Sequence, residues 1–368
     1  MITAEGCMAT HPHFDRIADR WQTRIAGQKE YGVIRDGNIF GANLTDSYLF
    51  RSEYERAHAL RQQLCSRYDG CSFEEVFCGV ETQTPFGPTH RITSETRIAV
   101  PEFDSEEIAS GILHDLKLIH GIGEHTEIRL KNRGYESIRD LLRHPRFRSR
   151  AQAFLSVLAS GDKGALMRWM TRWYPASHPS LLKTAGLHRK TDLVFLDIET
   201  LGLFSRPIIL FGIGQLHHDS LAVSQYLLRD IHEEEAAISA IFSHMDHDST
   251  ALITFNGKAF DFPYLQDRAS YYGLGTAPAV SHYDILHFAR RRFRKFLPDC
   301  RLQTIEKHIC GFERKDDVPS AMVPEFYETY MQTGNPGPLI PIVEHNRRDI
   351  ITLAEIYSYL MEECHVGQ

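Results

Sequence analysis

Cysteine is scarce and unpaired in this 368-residue sequence: there are seven, none in a CxxC pair, and Cys65, Cys71 and Cys78 lack the short spacings of a metal ribbon. That pattern speaks against a zinc ribbon or a disulfide framework and points to reduced thiols in a cytoplasm. No apolar run approaches the roughly 20 residues of a membrane span. Met1–Trp21 is too polar for a secretory signal, so the expectation is a cytoplasmic protein with no membrane partner. Internal repeats and low-complexity tracts are absent as well, which excludes a solenoid. The twenty histidines are scattered along the chain and form no tract of their own.

An overall excess of positive charge is also missing; the formal net charge is -7. That figure conceals a segregation. Residues 1–110 carry 11 basic and 17 acidic side chains, residues 111–190 carry 15 and 6, and residues 191–368 carry 15 and 25. A basic middle beside an acidic end suits a polyanion grip next to a cation-holding unit, although an ordinary helical surface would show the same counts.

Three regions are expected. Residues 1–108 read as a small α/β region: a strand at Glu74–Val80, a turn at Thr84–Pro88, a returning strand at His90–Val100 and an acidic linker at Pro101–Glu107. Residues 109–188 read as helix throughout. Residues 189–368 alternate. Strands at Leu193–Leu196, Pro207–Leu216 and Leu221–Leu228 have turns short enough for antiparallel pairing, a helix follows at His232–Met245, and a fourth strand spans Ala251–Phe255. Three antiparallel strands, a helical crossover and a fourth strand beside the first describe an α/β fold with an RNase H-like mixed sheet and flanking helices.

What is present against that background is a set of acids in apolar company. Asp197 and Glu199 stand two apart at the end of the first of these strands, so both can face one side of the sheet. Asp261 follows the fourth strand at the mouth of a helix, and Asp349 lies on a late helix four residues after His345, on the same face. Buried carboxylates require neutralisation. A set of hard oxygen ligands suits Mg²⁺ or Mn²⁺, and two such ions about 4 Å apart can clamp an in-line phosphoryl displacement. An imidazole one helical turn from a ligand can accept a proton near neutral pH. Each cluster alone has an ordinary reading as a strand end, a turn or a solvated helix face.

Taken in order, Val194–Thr200, Phe255–Asp261 and His345–Asp349 resemble the three exonuclease motifs of the DEDD superfamily. The resemblance is greatest to its YprB-type RNase H-like domain and extends over about residues 190–363. Further blocks agree in order: Tyr283–Arg291, Cys300–Glu306, and Asp316-Asp317-Val318-Pro319 with Pro324 and Tyr327. The resemblance implies Asp197, Glu199, Asp261 and Asp349 as ligands of two Mg²⁺ or Mn²⁺ ions. It also implies His345 as the base or water-orienting residue, Thr200 and Leu201 against a terminal nucleotide, and 3′→5′ attack. The histidine departs from the pattern: members with a tyrosine place it four residues before the last Asp and members with a histidine five before, whereas here a histidine has the tyrosine's spacing. Asn256 could buttress the second motif or touch substrate, and Lys258 could meet a phosphate. The run Arg290–Lys295 could steer a strand or simply pack on acidic neighbours.

In the middle region, Ile119–Gly123 with Ile128, Leu130, Gly134, Tyr135 and Ile138 resembles a helix-hairpin-helix. There Gly121, Ile122 and Gly123 would let backbone N–H groups approach a phosphate, with Lys131 and Arg133 supplying charge. Glu124 and Glu127 sit where small or basic residues are usual, so a plain scaffold is the rival. The expected activity is metal-dependent hydrolysis of DNA or RNA, as a 3′→5′ exonuclease on single strands or frayed ends. The alternatives are a structure-specific endonuclease on the same site and a non-catalytic nucleic-acid-binding adaptor.

Overall fold

The computed structural model describes residues 48–366 apart from 204, 248 and 315–317. The polar stretch 1–21 and the acids Asp316 and Asp317 therefore lie outside the described residues. In chain order the elements begin with α1 (Tyr48–Arg67), α2 (Phe73–Val76), β1 (Val80–Thr84) and β2 (Gly87–Arg97). The helical middle contributes α3 (Ser105–Leu113), α4 (Glu124–Lys131), α5 (Arg148–Ala159), α6 (Lys163–Met170) and α7 (Pro179–Lys183). Then come β3 (Leu193–Thr200), β4 (Ile208–His217), β5 (Ser220–Leu227), α8 (Glu234–Met245), β6 (Ala251–Thr254), α9 (Asp261–Tyr272), β7 (Ser281–Asp284) and α10 (Ile285–Phe293). The chain closes with α11 (Leu302–Ile305), which runs into a π-helical turn over Glu306–Cys310, then α12 (Val323–Thr333) and the long α13 (Ile340–Val366).

One seven-stranded sheet organises all of this, in the order β1-β2-β5-β4-β3-β6-β7. The strands from β1 to β3 pair antiparallel, and β6 and β7 join parallel to β3. The α/β fold with a mixed RNase H-like sheet is therefore as expected, with an additional edge strand, β7, and with differences in the N-terminal region. The expected strand at Glu74–Val80 is helical at its start: Ser72 and Glu75 form a reciprocal capping box that nucleates α2, and extended structure begins at Val80. The β1–β2 hairpin then adds its second strand to the edge of β5, Arg91 opposite Tyr226, so the N-terminal region extends the main sheet. The acidic stretch before residue 108 also enters a helix, with Asp104 capping α3 through the Glu106 N–H.

The two faces of β3 go to different helices. Val194, Leu196 and Ile198 pack with α8 and α9. Leu193 and Phe195 join α13 in a cluster that continues without interruption into the helical middle through Leu116, Leu118, Ile138, Phe154 and Leu182. A third cluster sets α1 and α12 against Ile209, Leu210 and Leu227. Side chains alternate along a strand, so Asp197 and Glu199 continue the face that α13 covers. Among the described residues no helix is long and apolar enough to cross a membrane.

Candidate active site

Strand β3 continues past the point where its parallel neighbour stops. The last β6 pairing is Ile253 opposite Phe195, which leaves the Ile198 N–H without a ladder partner on that side. Asp261, the first residue of α9, takes the vacant place: its Oδ1 accepts from Ile198 N at 3.2 Å. A carboxylate there satisfies a buried donor and sits at a helix N-terminus, where negative charge is favoured. Asp261 is thereby set against the strand segment that carries Asp197 and Glu199.

A loop of fixed geometry delivers it. Asn256 adopts φ +66°, and a Cβ on Gly257 would lie 2.4 Å from Thr254 Cβ, so glycine is required at that position. The buried carboxylate of Asp284, at the end of β7, accepts from Asn256 N at 2.8 Å and Lys258 N at 3.1 Å while also capping α10. Asn256 thus meets Asp284 through its backbone, and the Lys258 side chain is exposed.

Asp197, Gly212 and Gln225 stand in one cross-strand row over β3, β4 and β5. The missing side chain of Gly212 leaves room for Asn346 of α13; a Cβ there would lie 2.3 Å from Asn346 Oδ1. Asn346 Nδ2 donates to Asp197 Oδ2 at 2.7 Å, and its Oδ1 accepts from Gln225 Nε2 at 2.9 Å, which fixes the amide orientation. Gln225 also donates to Val343 O at 2.8 Å. One turn further along α13, Ile350 lies against Gly214 and Tyr357 meets Phe195 edge to face, so the helix lies close on the sheet.

The opposite flank of α13 is ionic. His345 Nε2 lies 3.4 Å from Asp349 Oδ2, and Arg314 Nη2 donates to Asp349 Oδ1 at 2.5 Å. Arg314 Nη1 is 3.5 Å from His345 Nδ1. Arg314 is in turn anchored by Glu306, which accepts from its Nε at 2.6 Å, from Thr352 Oγ1 at 2.5 Å and from Arg348 Nε. Glu306 is 1 % exposed, and the π-helical turn starts at it.

Asp197, Glu199, Asp261, His345 and Asp349 therefore converge from β3, α9 and α13; Glu199, Asp261, His345 and Asp349 are all buried and Asp197 half-buried. Among the described residues no three His, Cys, Asp or Glu side chains close on one ion-sized point. Asp197, Asp261 and Asp349 are each turned toward a protein partner instead. The donor set nevertheless fits a hard divalent cation: four carboxylates gather where water is largely excluded, and Asp197 is held by a neutral amide that leaves its charge in place. Thr200 and Leu201 lie at the margin. The Thr200 hydroxyl donates to Gly202 O at 2.8 Å, and Leu201 packs on the cluster around α12.

The hairpin residues lie on a separate part of the molecule. Gly121 has φ +87°, Ile122 is buried, and Gly123 caps α4 in an extended conformation. Lys131 pairs with Glu127 at 3.2 Å, and Glu127 also accepts from Leu116 N, so this glutamate braces the hairpin. Arg133 is exposed. Asn346, Gln225, Gly212, Asp284, Arg314 and Glu306 received no role from sequence. Their signals were a glutamine in an apolar strand, glycines two apart in another, and acids inside blocks noted for resemblance alone.

Residues 194–361 match a family model described as RNase_H superfamily. The uncharacterized protein YprB of Bacillus subtilis (strain 168) is 31% identical over 199 residues, which is 53% of this chain and 48% of that protein. The matched region thus spans about half the length of that relative.

Proposed function

Because residues 194–361 form a YprB-type RNase H-like domain, we propose that this chain is a metal-dependent nuclease that hydrolyses phosphodiester bonds of DNA or RNA as a 3′→5′ exonuclease. The observation that carries the proposal is the convergence of Asp197, Glu199, Asp261 and Asp349 from three separate elements. RNase H-like nucleases generally use divalent metal ions, and Asp197, Glu199, Asp261 and Asp349 would hold two Mg²⁺ or Mn²⁺, which supply charge neutralisation at the phosphate.

The chain's own groups supply the rest. Asn346 and the Ile198 N–H orient Asp197 and Asp261 without cancelling their charge. His345, with Nε2 facing Asp349 and Nδ1 3.5 Å from Arg314 Nη1, is the group that would take the proton of the attacking water once Arg314 withdraws. Thr200, Leu201, Asn256 and Lys258 line the approach of the terminal nucleotide. The Gly121–Gly123 turn with Lys131 and Arg133 provides a second, sequence-independent backbone contact. Its rival role as a scaffold is favoured by the bracing of Glu127 and is rejected if the hairpin binds oligonucleotides in a salt-dependent way.

The test uses matched DNA and RNA oligonucleotides labelled at the 5′ end, with Mn²⁺ and with chelator. A ladder of products shortened from the 3′ end is expected with the ion and none with chelator. Asp197→Asn should lower the rate by about 10³-fold or more. A discrete internal cut would replace the exonuclease reading with an endonuclease one, and unchanged cleavage by Asp197→Asn would remove the site from the reaction.

A further inference from the structure

Helix α10 begins at Asp284, the carboxylate that holds the loop in front of Asp261. Its residues His287, Arg290 and Arg291, continued by Arg294 and Lys295, recur at i, i+3, i+4, i+7 and i+8, so they form one continuous helical stripe. The opposite face is the packing face, with Ile285, Phe288, Ala289 and Phe293 buried. Arg292, off the stripe, is tied to Glu363 at 2.6 Å. The five stripe residues together with Ser177 line a recess of about 480 Å³. Ser177 belongs to the segment before α7 and is the one lining residue of the recess from the helical middle. Cations in the last turn offset the helix dipole, but that effect needs one or two charges, and the stripe carries Arg290 and Arg291 there and continues with Arg294 and Lys295 past the helix end. Beyond its end stands Phe296, 73 % exposed, with the Arg292 guanidinium 5.9 Å from its ring centroid.

We propose that this stripe, with Phe296 at its outer end, is a track that binds a single strand of nucleic acid and leads it to the carboxylate site. A row of cations that follows the backbone, with an exposed aromatic on which a base stacks, is the chemistry of sequence-independent single-strand binding. Duplex offers the charge but not the free base face. The choice of nucleic acid as the polyanion rests on the nuclease reading above. Nine helical residues span about 14 Å, and stacked nucleotides rise about 3.4 Å each. A strand therefore runs along the track for about four nucleotides, so it has to extend at least that far from the site before it reaches the outer end.

The full chain in chelator is titrated against a labelled 20-nucleotide single strand and the matching duplex at several salt concentrations. Arg291, Arg294 and Lys295 are exposed and outside the core, so the triple variant R291Q/R294Q/K295Q should fold; circular dichroism checks this. It should reduce the slope of log affinity against log salt by about 2, given about 0.7 per phosphate contact on a single strand. Phe296→Ala should weaken the single strand by roughly 5-fold or more and leave the duplex unchanged. With Mn²⁺, cleavage of a trinucleotide should be the same for the triple variant and the parent, while cleavage of the 20-mer falls.

Unchanged salt slope and affinity in the triple variant overturn the track, whatever its cleavage activity. So does loss of binding to anionic phosphatidylglycerol vesicles with oligonucleotide binding retained, which would make the stripe a membrane contact. Metal-independent binding that is lost in the triple variant, in a parent protein that never cleaves, upholds the track and sinks the nuclease reading.

Discussion

The two flanks of α13 hold their carboxylates by opposite means. On the sheet side, Asp197 is fixed by a neutral relay through Asn346 and Gln225, for which Gly212 leaves room. On the outer side, Asp349 is fixed by an ionic relay through Arg314 and Glu306. A neutral relay orients a carboxylate and leaves its full charge, whereas an ionic relay orients and compensates it. On the proposed reading, Asp349 would have to exchange the Arg314 guanidinium before it could hold a cation, whereas Asp197 would have to give up only the Asn346 amide among these two relays. Each relay depends on close packing of one helix on one sheet, so the two are separable by substitution.

The largest effect is expected from breaking the ionic relay. Glu306→Gln leaves two guanidiniums facing a buried site with a neutral partner and should cost about 3 kcal/mol of stability, read by denaturant unfolding. A loss below about 0.5 kcal/mol would show that Arg314 and Arg348 do not depend on Glu306. His345→Ala removes the imidazole between Asp349 and Arg314 without touching the sheet side. It should slow cleavage by about 10²-fold and change the pH–rate profile; an unchanged profile would make His345 a packing residue.

Gly212→Ala attacks the neutral relay. The added methyl meets Asn346 head on, so a cost of about 1–3 kcal/mol is expected, with cleavage falling further than His345-independent chemistry alone would explain. Stability equal to the parent would mean that Asn346 can move aside and that the row is not needed.

His188 lies outside both relays and is the control. Burial, its largest influence, pulls its pKa down to about 4 despite a hydrogen bond to Ser249 O at 2.7 Å. The unfolded chain takes the proton first, near 6.5, so stability should fall as pH drops from 6.5 toward 4. The slope is about 1.4 kcal/mol per pH unit at most. His188→Gln should flatten that slope and leave metal-dependent cleavage at neutral pH as it was.

The parts of the molecule legible in the sequence are those whose chemistry is local. The strands β3 to β6 and the helices around them were readable because alternation and helical spacing report burial, and Asp197, Glu199, Asp261, His345 and Asp349 stood out as candidates because acids in apolar company call for neutralisation. Strand β7 was missed: Ser281–Asp284 is four residues long and carries one histidine and one acid in place of an apolar run. The strand expected at Glu74–Val80 was misread because its apolar residues outweighed the Ser72–Glu75 capping box. Roles for Thr200, Leu201, Gly121 and Lys131 come from resemblance and remain proposals.

By itself, then, the sequence determined the α/β class, the arrangement of β3 to β6 and which acids are the candidates, because each follows from residue type and spacing along the chain. Tertiary structure alone decided that Asp284 holds the loop before Asp261, that Gly212 opens a slot for Asn346 beneath Asp197, and that Glu306 holds Arg314 on Asp349. Those contacts join residues from 8 to 149 positions apart. No local pattern encodes them, because they arise when α13 is laid on the sheet and the packing of one surface selects which polar groups can meet.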